Sequence, residues 1–382
     1  MTGSDKLRQI CLLSYDYPPN DGGISRLAGA VVEELSRQRR LSEVVTLRRD
    51  DGKDALRPPV PTRVVPFNKL WRDLSTFRYL LGLRRGTQVL ATIWNPEATL
   101  AWLAGLRRFA VMAHGNEVMP YPSGLKFALK AALRRRVLAA AGAVICNSRY
   151  TEKRVQAISP SAKTVVICPA VDADRFLGYD DQSACRRRLG LPVDKRVLLS
   201  VSRIDAYKGH DVVLKALAQL PVETRQQLHY VVAGRGSHLP QLQQLADRLG
   251  LTDCVTWLGF VDDEALPALY AAADLFLLCT REDPQSRGVE GFGMVFLEAQ
   301  AAGIAVLGTA IGGIPDAIVV GEGGWLVAQD DVAAVAGHLS GLAADLERYR
   351  VQGRLGRERI SRDVSWEKYV NRLRSVLEPT DV

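Results

Sequence analysis

Glu290-Gly291-Phe292-Gly293-Met294-Val295-Phe296-Leu297-Glu298 is the stretch on which the reading of this chain turns. The apolar run over 273–279 before it has the composition of a buried strand, and a polar loop spans 280–289. The two glycines permit a tight turn with backbone close to a ligand. Beyond them Val295, Phe296, Ala299 and Ala302 recur with helical period, and Gly303 suits the helix end. The order is strand, loop, glycine turn, helix. A helix start, here at Met294 and Val295, offers unpaired N–H groups and a positive dipole end to an anion. Glu290 lies before the turn, and Glu298 lies roughly 6 Å beyond Met294 along the axis. Carboxylates only accept hydrogen bonds, so they bind hydroxyls rather than phosphate, and strongly when ionised. An anion site between two hydroxyl-binding groups has the layout of a nucleotide sugar, with Glu298 on the ribose and Glu290 on the transferred sugar. On spacing alone, two surface glutamates around a helix start fit equally well.

Taken with Ala299, Ala302-Gly303 and Gly312-Gly313, this stretch resembles the C-terminal signature of the retaining glycosyltransferases of family 4. The resemblance implies the α/β GT-B fold, two Rossmann-like domains facing each other across a cleft that holds the active site. Ala305 departs from the proline usual after this helix. The run Asp283-Pro284-Gln285-Ser286-Arg287-Gly288-Val289-Glu290 resembles mannosyltransferases of lipid or polysaccharide assembly.

Working outward, the strand expected at 196–201 leads into a loop carrying Arg203 and Lys208 and then a helix with Val212, Val213, Leu217 and Leu220. Cations at a helix N-terminus oppose the dipole, and a bound diphosphate resolves the conflict. Their spacing matches the contacts that the family makes to the donor diphosphate. The strand over 229–233 runs into Gly234-Arg235-Gly236, where the family's base-side loop begins.

The N-terminal half repeats the pattern. A strand at 9–14, the loop Asp16-Tyr17-Pro18-Pro19-Asn20-Asp21-Gly22-Gly23 and a helix over 25–37 open a Rossmann-like unit. Neither G-x-G-x-x-G nor a P-loop occurs, which removes the main support for hydride transfer and NTP hydrolysis. By resemblance, the Gly22-Gly23 loop reaches the donor phosphates and the acceptor. Further strands are expected at 44–47, 64–65, 88–94 and 110–113, a strand and loop at 143–148, and helices at 71–83, 97–106 and 121–138; 48–63 reads as a proline-bearing loop. His114 ends the 110–113 strand and is followed by Gly115, where open α/β sheets bind ligands. The family places a histidine here beside the transferred sugar. Over 164–172, Ala170 stands in place of the usual Asn-Gly pair.

The 382 residues suit about two domains: 1–175 on the acceptor side, 176–363 binding nucleotide sugar, and a C-terminal helix over 364–382 crossing back. Hydrophobic content of 47% and charged content of 24% are those of an ordinary globular protein. The six cysteines form no C-x-x-C pair or Cys/His cluster, so reduced thiols and no metal site are expected. No signal peptide or membrane span is expected. The net charge of +8 is uneven: residues 1–175 carry 28 Lys and Arg against 15 Asp and Glu, a formal +13, and the remainder carries −5. The first half therefore favours an anionic partner. Leu125, Leu129 and Leu133 form a stripe beside Lys126, Lys130 and Arg134, with Arg135 and Arg136 following, which fits a basic amphipathic helix on an anionic membrane.

The reading is a metal-independent, retaining hexosyltransferase. It needs no cofactor beyond its substrate, a nucleotide-diphosphate sugar such as GDP-mannose or a UDP-sugar. Its acceptor is a lipid-linked or polysaccharide-precursor hydroxyl, at the inner face of the membrane on the cytoplasmic side. His114, Arg203, Lys208 and Glu290 are the candidate catalytic residues; Gly22, Gly23, Gly234, Gly293, Met294, Val295 and Glu298 are candidates for donor binding. Alternatives are a GT-B sugar-nucleotide epimerase or hydrolase, and a non-catalytic polyanion binder. Nucleic acid is not expected, because the aromatic interleaving of single-strand binders is thin.

Overall fold

A computed structural model describes residues 9–20, 22–48, 60–83, 86–283 and 288–377. Most of the polar segment 48–63, the centre of the run 283–290 and the end of the C-terminal segment therefore lie outside the described residues. The chain separates into two compact units, Met1–Pro169 with Trp366–Val382, and Ala170–Ser365.

The first unit holds seven parallel strands: β1 (Ile10–Leu13), β2 (Leu41–Leu47), β3 (Thr62–Val65), β4 (Gln88–Ala91), β5 (Phe109–Ala113), β6 (Ala143–Cys146) and β7 (Thr164–Val166). Their order is β3-β2-β1-β4-β5-β6-β7. Leu12 pairs with Val44 on one side and Leu90 on the other. Helices cover both faces of such a sheet, so its strands read as unbroken apolar runs. The second unit holds β8 (Arg196–Val201), β9 (Leu228–Ala233), β10 (Val255–Gly259), β11 (Leu275–Leu278), β12 (Ala305–Thr309) and β13 (Gly324–Val327), in the order β10-β9-β8-β11-β12-β13. Its period of two is visible in the packing. Phe276 and Leu278 enter one core with Val197 and Leu199, while Leu275 and Leu277 enter the other with Leu198.

Several local expectations shift. The strand expected over 88–94 stops at Ala91, because the chain turns into the helical segments Trp94–Ala98 and Thr99–Leu103, burying Trp94. The helix expected from 71 starts at Lys69, where the Asn68 side chain accepts a hydrogen bond from the Leu70 N–H. The helix expected from 121 is Leu125–Ala140, since Pro122 and Gly124 keep the residues before it out of the helix. The final helix, Trp366–Leu377, packs in the first unit. Its Arg374 and Asn371 side chains bond the Gln38 amide at 2.8 and 3.1 Å. Asp274, inside the apolar 273–279 run, is buried against Arg186 at 2.6 Å and accepts the Val197 N–H, pinning β8 beside β11.

Candidate active site

In both sheets the strand order reverses at one place, between β1 and β4 and between β8 and β11. Ligands of open α/β sheets bind beyond the carboxyl ends of the strands at that reversal. In the second unit, the loop after β8 carries Arg203 and Lys208, and the loop after β11 carries Glu290.

Lys208 Nζ donates to Glu290 Oε2 at 2.6 Å, and only 10% and 17% of the two side chains is exposed. Burial alone would push the Lys208 ammonium below its ordinary pKa. The Glu290 carboxylate, aided by Tyr207, outweighs this and raises it, so Lys208 stands as a cation at neutral pH. The two residues given separate tasks in the sequence are thus in direct contact. Arg203 stands apart. Its side chain is 71% exposed and reaches Asp205 at 3.3 Å and the Tyr207 hydroxyl at 3.3 Å.

Gly293 caps the helix Met294–Ala301 at φ 93°, a conformation that L side chains avoid, and a Cβ there would stand 2.7 Å from the Phe296 ring. Met294 and Val295 open that helix as expected. Glu298 is buried rather than open, and its Oε2 accepts the Tyr270 hydroxyl at 2.7 Å. Gly234 follows β9, and a Cβ there would meet the Ser202 carbonyl at 1.8 Å, so this turn and the loop of Arg203 are held in contact.

A buried chain of hydrogen bonds anchors that loop, and the sequence reading missed it. His210 starts the helix His210–Gln219, two residues after Lys208. Its Nε2 lies 3.0 Å from Ser202 Oγ and its Nδ1 2.9 Å from the Tyr230 hydroxyl, which in turn lies 2.9 Å from Ser200 Oγ. Ser200 donates to the Leu277 carbonyl at 2.5 Å. A carbonyl only accepts, so Tyr230 donates to Ser200 and His210 Nδ1–H to Tyr230, while the Ser202 hydroxyl has the Arg203 carbonyl at 2.8 Å as well as His210 Nε2 within reach. A neutral imidazole completes the chain, and burial with Lys208 nearby holds its pKa down to about 3. Only a histidine at a helix start, beside a predicted phosphate loop, hinted at this in the sequence.

In the first unit, Gly22 caps the helix Gly23–Arg37 beyond β1, and His114 follows β5. His114 Nε2 lies 2.8 Å from the Thr92 carbonyl, which only accepts, so Nε2 carries a proton. The His114 N–H donates to Glu117 Oε1 at 2.5 Å. Burial raises the Asp16 pKa, with the Asn20 amide and His114 opposing that shift. Thus Gly22, Gly23 and His114 share the carboxyl end of the first sheet, while the remaining candidates share that of the second. Among the described residues no group of three or more His, Cys, Asp or Glu is arranged to hold a metal, and no helix is long and apolar enough to cross a membrane.

The profile for Glycosyltransferase Family 4 matches residues 21–175, and that for Glycosyl transferases group 1 matches residues 181–359. A GDP-mannose-dependent alpha-(1-6)-phosphatidylinositol monomannoside mannosyltransferase of Mycolicibacterium smegmatis is 31% identical over 96% of this chain and 98% of its own. A GDP-mannose-dependent monoacylated alpha-(1-6)-phosphatidylinositol monomannoside mannosyltransferase of Corynebacterium glutamicum is 29% identical over 97% and 98%. Among solved structures, Anabaena HepE in complex with UDP and glucose superposes with a TM-score of 0.80 at 20% identity, covering 97% of this chain and 99% of that one. Sucrose-phosphate synthase from Thermosynechococcus elongatus gives 0.77 at 24% identity, covering 96% and 97%. Two Rossmann-like sheets of this order, matched along nearly their whole length, make the chain a glycosyltransferase of GT-B fold belonging to family 4.

Proposed function

We propose that this enzyme moves mannose from GDP-mannose to a hydroxyl of an inositol-based phospholipid, with retention and without a metal. The observation that carries the reading is the Lys208–Glu290 contact at the strand reversal of the second sheet. A cation kept charged in a largely buried site faces the place where a leaving diphosphate gathers negative charge. Glu290 keeps that cation charged and presents a second oxygen to a sugar hydroxyl. Arg203, whose side chain is exposed beside Lys208's loop, binds the diphosphate. The N–H groups of Met294 and Val295, with those of Gly22 and Gly23, supply further donors. Glu298, held in place by Tyr270, accepts from the ribose. His114 Nδ1 accepts from a sugar hydroxyl. No side chain acts as a nucleophile in this scheme, and the leaving phosphate takes the acceptor proton on the face that it departs from. The names of the mannosyltransferase relatives support the choice of donor and acceptor.

A lipid acceptor places the enzyme at the inner face of a membrane. Lys126, Lys130, Arg135 and Arg136 are exposed on the helix Leu125–Ala140 and support electrostatic attraction to anionic lipid. Arg134 leaves that row. It is buried, donates to the Glu117 and Met119 carbonyls at 2.9 Å each, and lies over the Tyr121 ring. Leu133 likewise turns into the core.

A nucleotide-sugar panel followed by thermal shift tests the donor. A ligand at 100 times its Kd stabilises by about 2.7 kcal/mol. GDP-mannose should raise Tm above the UDP-sugars, and mannose should then pass to a phosphatidylinositol acceptor with its anomeric configuration kept. Release of free mannose or an epimerised nucleotide sugar, with or without acceptor, would refute the reading.

A further inference from the structure

Arg281 is the first charged residue beyond β11, at the start of the loop that leads to Glu290. Asp283 and Gly288 pair across that loop, the Asp283 N–H donating to the Gly288 carbonyl at 3.0 Å, so Arg281 and Glu290 each stand two positions from the bridge. The backbone of Arg281 also meets the loop of Lys208. Its N–H donates to the Tyr207 carbonyl at 2.8 Å, and a Cβ on Gly209 would stand 1.8 Å from the Cys279 carbonyl. The turn Ala206–Lys208 therefore lies directly on the end of β11.

The side chain encloses the same turn. Arg281 Nη1 donates to the Ala206 carbonyl at 3.0 Å, Nη2 to the two oxygens of Asp211 at 2.9 and 3.1 Å, and Nε to Asp330 Oδ1 at 2.8 Å. Helical turns end in carbonyls without helical partners, and one residue supplies donors to two of them here, Ala206 and Tyr207. Asp211 lies in the first turn of the helix His210–Gln219, where a carboxylate suits the dipole. Burial would raise its pKa, but Lys215 and Arg281 outweigh that and lower it, so it is ionised at neutral pH. Asp330, beyond β13, is held at φ 60°, a left-handed conformation that persists where contacts enforce it. Three loops at the carboxyl end of the second sheet thus converge on one guanidinium.

We propose that Arg281 is a positioning residue for the transfer reaction, holding the turn Ala206–Lys208 where Lys208 Nζ meets Glu290 Oε2. It acts through Lys208 and not on substrate, because its bidentate edge is taken by Asp211 and its Nε by Asp330. A lysine ammonium is a point charge on a flexible four-carbon stem, so the backbone beneath it decides where it stands. Glu290 is fixed from its own side. Its carbonyl accepts the Gly313 N–H at 2.9 Å, and a Cβ on Gly312 would stand 2.4 Å from that oxygen. With Glu290 anchored there, the 2.6 Å contact depends on the turn that Arg281 holds. The use of the pair in catalysis rests on the proposed function; its placement by Arg281 does not.

The experiment is a double-mutant cycle on the full chain: wild type, Arg281→Ala, Lys208→Ala and the double variant. Turnover is read as GDP release from GDP-mannose with a phosphatidylinositol acceptor. Arg281→Ala should lower kcat about a hundredfold, the effect of misplacing a catalytic group by about an ångström, and change KM by less than about threefold. Without Lys208 the turn has nothing to position, so adding Arg281→Ala to Lys208→Ala should cost less than about threefold more. Labelling reads the pair without turnover. Limiting acetic anhydride, followed by mass spectrometry, should modify Lys208 several-fold faster in Arg281→Ala than in wild type, with exposed Lys153 as reference, because an unpaired, buried ammonium loses its proton more readily. Circular dichroism checks each fold. Should Arg281→Ala not fold, Arg281→Lys takes its place; it keeps the charge but cannot span a carbonyl and two carboxylates in one plane, and should lose roughly tenfold in kcat. Losses that add in the double variant, or Lys208 labelled at the wild-type rate once Arg281 is replaced, would overturn the proposal. If replacing Arg281 exposes Lys208 to the label while Lys208→Ala leaves kcat unchanged, the catalytic reading fails alone. If Lys208→Ala lowers kcat while replacing Arg281 alters neither kcat nor labelling, this proposal fails alone.

Discussion

The buried imidazole of His210 makes the second unit sensitive to acid in a calculable way. Its pKa is held at about 3 by burial, with Lys208 and His238 acting in the same direction and Asp211 against them. An unfolded chain restores about 6.5. Between those values the unfolded state binds a proton that the native state refuses, so stability falls as pH falls. It is fully present above the unfolded pKa and is lost progressively below it. From pH 7 to 4.5 the loss from this residue alone is about 2–3 kcal/mol. His210→Gln provides the control, since a glutamine amide can donate to Tyr230 and accept from Ser202 without titrating. Hydrogen exchange on the amides of β8 and β9 reads the second unit by itself, after correction for the intrinsic pH dependence of exchange. Wild type should lose protection faster than His210→Gln as pH falls from 6.5, while both share the contributions of every other group. Parallel slopes would refute the reasoning, as would a His210 ring that takes up its proton near pH 6 by NMR.

Other consequences are simpler to read. Glu298→Ala should weaken nucleotide affinity by about 1.5–3 kcal/mol in calorimetry, since it removes a charge-assisted acceptor; Tyr270→Phe, which removes only the hydroxyl that bonds Glu298, should cost less. Lys208→Ala and Arg203→Ala should lower kcat more than they raise KM, because diphosphate charge grows in the transition state. A rise in KM alone would mean uniform donor binding. Gly234→Ala should abolish donor binding or destabilise the second unit, because its Cβ would stand 1.8 Å from a carbonyl oxygen. Turnover should survive EDTA, and loss that is rescued by Mg²⁺ or Mn²⁺ would contradict the metal-independent scheme.

The two sheets were legible because parallel strands buried on both faces write themselves as short apolar runs, and because the loops after β8 and β11 carry charge where helices begin. Lys208 and Glu290, 82 positions apart, could be assigned to one site from the resemblance, but not to one contact. That contact depends on β8 and β11 being neighbours, which strand order decides and local pattern does not. The same limit hid Asp274 against Arg186 and Glu298 against Tyr270. Each is a polar group whose partner comes from another element, and periodicity says nothing of such pairings. Helix periodicity also leaves one ambiguity that only packing removes. A stripe of leucines has the same spacing whether it faces a core or water. In the helix Leu125–Ala140 the expected basic row loses Arg134 because that side chain bonds the carbonyls of the segment before it. In the helix Lys69–Leu81 the leucine stripe is the outer one, because Thr76 and Arg72 hold the opposite face on Tyr15. Polar contacts of the inner face thus determine where the apolar face points. The residues that give this helix its exposed apolar face are legible in the sequence, but the residue that turns them outward is Tyr15, about sixty positions earlier.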